Sequence, residues 1–526
     1  MRWKYWKTGS VPIISYLDHG ISARQEGSVQ HRAEERFLPP EVSRKTAMHI
    51  YVNEDNDHYF KLDQSLMTEP ALRQYIDKYA DYGVSVMVFC TSGQRTSYRS
   101  EVMDAIWDPM NDGTLPAAAW VNNAKKLFDE GIDPYQVWLD QCHRRGMKGW
   151  ISTRMNDMHH THPSLRYRGD RRWFEHPEWT LEPERFSLPS GQSWEYYQDL
   201  QSRLAWNYAR PEVRSVMLAL LVENVRRYNA DAYELDFSRD FFCLPTHCSA
   251  SNKESLTELM RAFRKEVDES SRGRQTKSQI AVRLPWTPEL AEAWGFDVKK
   301  WGNEQLIDIV IASPWWRSFQ YDFSLDHWQK SVGKRVTVIP SVDFWISPGP
   351  DLPLEHMTAE FLRGWCRNQE ARGADAVYFF NFPYWIQTKD NDPAEAEKLR
   401  TLAGRGLPTI TSQNGICRYQ IGYQDLPFPG ETCSGILPLE LNGSPAEFIL
   451  PVWNPPDAGS VFAVPVLEVP DKNVRIEING INVGPDGVFD PSGLCDGDNK
   501  ISITANQNRL LNFYLEWDQE ANGAEL

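Results

Sequence analysis

Apolar and polar positions fall in repeating blocks along this chain. Eight short apolar runs recur: Met48–Val52, Val84–Cys90, Lys148–Arg154, Ala232–Phe237, Gln279–Arg283, Ile307–Ala312, Val336–Ser341 and Ala376–Asn381. Between them lie polar stretches and amphipathic segments with helical spacing, such as Arg210–Tyr228 and Met357–Arg372. Runs this short, rich in Val, Ile and aromatics, fit strands covered on both faces rather than helices. Eight strands alternating with helices predict an α/β fold, a (β/α)8 barrel over residues 46–405. Its chemistry is expected where the strands end.

The pattern changes after helix Pro393–Ala403 and the break Gly404-Arg405-Gly406-Leu407-Pro408. Short alternating runs follow (Gly435–Leu441, Glu447–Val452, Val461–Val469, Val474–Ile478 and Asn499–Ala505), separated by Pro, Asn and Gly. They predict an antiparallel β-sandwich over 409–526. Residues 1–45 hold one strand-like run, Val11–Leu17, and read as an extension packed on the barrel. Two barrel loops are long, Ser92–Asn123 and Asn156–Ala209, and loops of that length are usually lids or binding loops.

Side chains two apart on a strand share a face. In Tyr233-Glu234-Leu235-Asp236-Phe237 the apolar set should meet the helices, leaving Glu234 and Asp236 inward, with Asp236 nearer the rim. Two inward carboxylates need counter-charges, and Arg154, Arg239 and Arg283 are placed to supply them. The third strand exits through Asn156, Asp157, His159, His160 and His162. The spacing of these histidines lacks a complementary Cys or carboxylate pattern, so Asn156, Asp157 and His159 read as hydrogen-bonding partners of sugar hydroxyls. Asp343 ends the seventh strand on the same face as Ser341. Trp286, Trp315, Trp316, Trp345, Tyr384 and Trp385 follow strands five to eight and are expected to ring the mouth, beside Asn381. Aromatic faces with nearby acids and amides suit a carbohydrate.

Composition narrows the picture. The 526 residues carry a net charge of −16, which argues against a nucleic-acid or anionic-membrane partner. No apolar run approaches the length of a transmembrane helix. The basic start lacks an apolar signal core, so the expected location is cytoplasmic, or exported with the signal already removed. The eight cysteines are scattered and form no zinc pattern, although Cys243 and Cys248 could pair. No metal or cofactor is expected, and a homo-oligomer is compatible with the sequence.

A barrel whose fourth strand ends Tyr-Glu-Leu-Asp-Phe resembles the α-amylase/α-galactosidase class of TIM-barrel glycoside hydrolases and the glycoside hydrolase-like barrel proteins related to them. The resemblance covers the barrel. It implies that Asp236 is the nucleophile. The class's general acid commonly follows strand five or six, whereas here Glu289 lies several residues past the fifth strand and the sixth ends without an acid. The expected pair is therefore Asp236 with Asp343, with Asp157 and Glu289 in reserve. The inward arginines, together with Arg95 and Arg317 in the loops, suggest an anionic sugar. Two other readings remain open: a non-catalytic carbohydrate-binding barrel, and a metal-dependent hydrolase using Asp157, His159, His160 and Asp236.

Overall fold

The computed structural model describes residues 47–182, 203–245, 250–273, 276–387, 392–423 and 436–519, apart from residues 56, 111, 316, 344, 454 and 456–458. The expectations for residues 1–45, for Trp316 and for Cys248 lie outside the described residues. So do several of the aromatics in the third-strand loop.

Eight parallel strands close into a barrel in sequence order: β1 (His49–Glu54), β2 (Val86–Ser92), β3 (Lys148–Arg154), β4 (Ala232–Asp236), β5 (Gln279–Pro285), β6 (Ile309–Ser313), β7 (Thr337–Val342) and β8 (Ala376–Phe379). Closure is made by β8 pairing with β1, His49 opposite Ala376. β3 has the bounds its apolar pattern predicts, and β1 runs two residues further than its apolar run.

The barrel has two apolar layers of different origin. Outward residues such as Ile50, Val52, Tyr233, Leu235 and Val282 join the helices in one large core. Inward residues Val86, Val88, Trp150, Ala232, Ala281, Ile309, Ile311, Ile339, Tyr378 and Phe380 fill the lumen. Alternation then carries the next inward positions to the upper end, where the residue types turn polar: Asp55, Arg154, Asp236, Arg283, Ser313 and Asp343. The lumen is thus a packed plug capped by ions rather than a channel.

Caps set the helix starts. Thr68 accepts from the Ala71 amide at the head of Glu69–Asp81, Asp133 caps Pro134–Arg144, and Thr358 caps Ala359–Ala371. Each such cap is worth about 1 kcal/mol.

Beyond the barrel, two antiparallel sheets face one another. One holds Gly415–Gln420, Asn508–Gln519, Val461–Leu467, Val488–Phe489 and Leu439–Leu441; the other holds Ala446–Val452, Gly497–Thr504, Arg475–Ile478 and Ile481–Asn482. Alternate residues (Phe448, Leu450, Ile501, Ile503, Phe513, Leu515) are buried between them, and the Phe448 and Phe513 rings lie 5.4 Å apart. This is the β-sandwich that the alternating runs predict.

Barrel and sandwich share helix Ala359–Ala371, whose residues 359–369 are all buried. A Cβ on Gly364 would stand 1.9 Å from the Arg418 carbonyl oxygen, so only glycine lets the helix approach the strand Gly415–Gln420 this closely. Arg363 and Arg367 tie the two parts by donating to the Ile416 and Thr411 carbonyls at 2.8 and 2.7 Å. Among the described residues, no helix is long and apolar enough to cross a membrane.

Candidate active site

The upper end of the barrel carries a layered ionic network. In the lower layer, Glu234 accepts from Ser152 Oγ at 2.7 Å and from the Tyr378 hydroxyl at 3.4 Å across the lumen, while its Oε2 is buried without a partner. Burial, reinforced by the charge of Asp236, raises the Glu234 carboxyl to about 7. One layer up, Asp236 Oδ1 accepts from the backbone amides of Ser238 and Arg239 and from Arg283 Nη1, each at 3.0 Å. Arg283 lies over the Phe380 ring, 3.8 Å from its centroid, and donates its other arm to Ser313 at 2.9 Å. The charge of Asp343 also acts on Arg283. Asp236 keeps only 2% of its surface exposed, whereas Asp343 is half-buried.

Asp343 accepts from the Asn381 side-chain amide at 3.0 Å. Asn381 has left-handed backbone geometry, φ 60°, where β8 breaks into the turn Phe382–Trp385. A non-glycine residue held there stores about 1 kcal/mol of strain.

On the opposite side of the mouth, Arg154 joins Asp55 and Asp157, both at 2.7 Å. Asp157 also binds His159 Nδ1, and His159 Nε2 accepts from Arg239 Nη2 at 2.6 Å. Burial, with help from Arg239 and against Asp157, draws His159 down to about 4. Farther out, Asp57 receives Arg168 at 2.7 Å, Lys61 at 3.2 Å and the Tyr384 hydroxyl at 3.0 Å. Burial alone would raise Asp57, but the charges of Lys61 and Arg168 outweigh it and hold the acid well below the usual carboxylate range.

These positions revise several expectations. Of the three arginines, only Arg283 pairs with a β4 carboxylate; Arg154 serves Asp55 and Asp157, and Arg239 reaches His159. Asn156 does not offer its amide outward: it is buried, donating to the Trp206 and Phe242 carbonyls and accepting from the Trp206 amide. It stitches the third-strand loop to the fourth. Glu289 is exposed on an outer helix and pairs with His327 at 2.7 Å, so it is a surface ion pair rather than part of this cluster.

The expected aromatic ring is largely packed away. Trp286 (5% exposed) donates to Asp322, Trp315 (9%) packs against Phe241 and Phe242, and Trp385 is core. Trp345, at 36%, and half-buried Tyr384 remain accessible. Arg95 is fully inside, donating to the carbonyls of Gly169, Asp108 and Pro109, and Arg317 bridges through its backbone to Ser347.

The histidines after β3 do not converge. His160 is buried edge-on against Trp173, and His162 caps the turn Pro163–Arg168. Asp55, Asp57 and His58 do bring possible ligand atoms within 4.8 Å of one another. Their chemistry is poor for a cation, because Arg154, Arg168 and Lys61 already occupy the two carboxylates. His58 Nδ1 accepts from the Asp55 amide at 3.1 Å, which leaves the proton of a neutral ring on Nε2.

Asp55, Asp57, Lys61 and Arg168 were not singled out in the sequence. Continued alternation through Tyr51, Asn53 and Asp55 was the signal available for the first; nothing local marks Arg168.

No protein-family description and no curated protein matches this sequence. Solved structures similar to it include the glycoside hydrolase domain of PgaB (BpsB) from Bordetella bronchiseptica, 13% identical, covering 68% of this chain and 98% of that one, with a TM-score of 0.41. The GH36 α-galactosidase AgaB from Geobacillus stearothermophilus is 13% identical, with 91% and 56% covered and a TM-score of 0.35. A cycloisomaltooligosaccharide glucanotransferase from Paenibacillus is 10% identical, with 89% and 57% covered and a TM-score of 0.34. The chain thus spans little more than half the length of these last two.

Proposed function

We propose that the protein is a glycoside hydrolase working at the upper mouth of the barrel, with Asp236 as nucleophile or base and Asp343 as the second carboxyl group. One observation carries this reading. Two carboxylates from strands three places apart in the ring, β4 and β7, both act on the single guanidinium of Arg283. Hydrolysis of a glycosidic bond requires two carboxyl groups that approach from different sides. Trp345 and Tyr384 keep accessible aromatic surface for a sugar ring, and Asp55 and Asn381 offer polar groups.

Lys61, Arg168 and Arg239, all partly exposed on the β1–β4 side, favour a sugar carrying a carboxylate or sulfate. A panel of aryl glycosides, neutral and uronate, tests the reading. Turnover should be found and should fall about a thousandfold or more in Asp236→Asn and in Asp343→Asn.

The near-complete burial of Asp236 favours one rival, a carbohydrate-binding barrel without catalysis. That rival predicts sugar affinity with no turnover by the wild type.

A further inference from the structure

Three links order the loops that follow β3 and β4, one within the first loop and two between them. Asp157 accepts from His159 Nδ1, His159 Nε2 accepts from Arg239 at 2.6 Å, and the Met158 amide donates to Asp240 Oδ2 at 2.9 Å. A guanidinium can only donate, so Nε2 of His159 must carry a lone pair, and the imidazole is the neutral tautomer with its proton on Nδ1. The far end of this chain reaches the site's central acid. Arg239 and its neighbour Ser238 supply the two backbone amides that meet Asp236 Oδ1, each at 3.0 Å. Arg239 is therefore held at its backbone by Asp236 and at its guanidinium by His159. Asp157 is in turn anchored by Arg154 at 2.7 Å.

We propose that His159 is a positioning residue. As a neutral Nε2 acceptor it fixes Arg239, and through Arg239 it fixes the two amides that orient the Asp236 carboxylate; it does not bind the sugar itself. The assignment rests on the hydrolase reading only for its kinetic consequence. The tautomer and the Arg239 link stand apart from it.

Two conservative variants separate this role from simple neutralisation of Asp157. A glutamine amide reaches the position of Nε2, whereas an asparagine amide reaches only that of Nδ1. On an aryl glycoside that the wild type turns over, His159→Gln should hold kcat within about threefold. His159→Asn should lose about tenfold or more in kcat with KM little changed, because a displacement of Asp236 by a fraction of an ångström is costly at a reacting centre. A residue that serves only Asp157 would give the reverse order, and equal activity of the two variants would also overturn the proposal.

The second measurement needs no substrate. In the nitrogen-15 spectrum of histidine-labelled protein, the resonance missing from His159→Gln should be that of a ring protonated on Nδ1 near neutral pH. An Nε2-protonated or doubly protonated ring refutes the proposal whatever the kinetics show. If the wild type hydrolyses no aryl glycoside while the Nδ1 tautomer is found, the hydrolase reading falls and the link survives.

Discussion

Glu234→Gln offers a direct measure of what burial does to the lower layer of the site. The carboxyl sits in the lumen with one oxygen bonded to Ser152 and the other without a partner, directly beneath Asp236. Its rise from an ordinary 4.5 to about 7 means that the folded protein binds a proton there which the unfolded chain releases. Across that window the native state holds more protons than the unfolded state, so stability falls as pH rises. The stabilisation is complete below the unfolded value and is lost as pH passes through the folded one. At about 1.4 kcal/mol per pH unit the loss amounts to about 3 kcal/mol.

Glutamine keeps an oxygen for Ser152 and never ionises. Denaturant titration followed by tryptophan fluorescence should find variant and wild type within about 1 kcal/mol at about pH 5, with the variant ahead by about 3 kcal/mol at about pH 8.5. Asp240, which burial also raises to about 7, contributes to both proteins and cancels in the difference. A gap that stays constant with pH, or that favours wild type in alkali, would refute the account of Glu234 as a neutral acid.

Arg154→Met should destabilise the fold by about 3 kcal/mol, because it removes the guanidinium that neutralises buried Asp157 and its neighbour Asp55; a loss under about 1 kcal/mol in the same titration would contradict the pairing. Asn381→Gly removes the left-handed strain and should leave stability unchanged or raise it by about 1 kcal/mol. It also withdraws the Asn381 amide from Asp343, so kcat should fall on any aryl glycoside hydrolysed by the wild type, and unaltered kcat would show that Asn381 does not orient the acid. Calorimetric titration with zinc, calcium or manganese should reveal no stoichiometric site at Asp55, Asp57 and His58. A one-to-one isotherm abolished by Asp57→Asn would overturn that.

The barrel was legible because its signal is local. A strand buried on both faces reads as an apolar run, and Val86–Cys90 is such a run within β2. The inward placement of Glu234 and Asp236 followed from the same two-residue alternation. What alternation does not fix is where long side chains finish. Arg154 ends β3 and Arg239 follows β4 as expected, yet they finish on Asp55, Asp157 and His159, because their partners in the neighbouring loops decide that. The tryptophans failed as a rim for a related reason. Whether Trp286 or Trp315 faces solvent depends on Asp322, Phe241 and Phe242 covering it, and those residues are distant in sequence. Asp57 and Arg168, 111 positions apart, are joined by folding alone.

The glycine-centred seam between helix Ala359–Ala371 and strand Gly415–Gln420 constrains how this protein can be made and cut. The helix lies between β7 and β8, so the ring cannot finish its last repeat in isolation: one flank of that helix is upholstered by residues synthesised later. A ribosome must deliver at least the Gly415–Gln420 segment before the eighth repeat has both its walls. A chain severed near residue 405 would uncover Gly364 and strip Arg363 and Arg367 of the Ile416 and Thr411 carbonyls. The trailing sheets are thus the barrel's final wall rather than a removable appendage, and excision should yield aggregates in place of a smaller working protein.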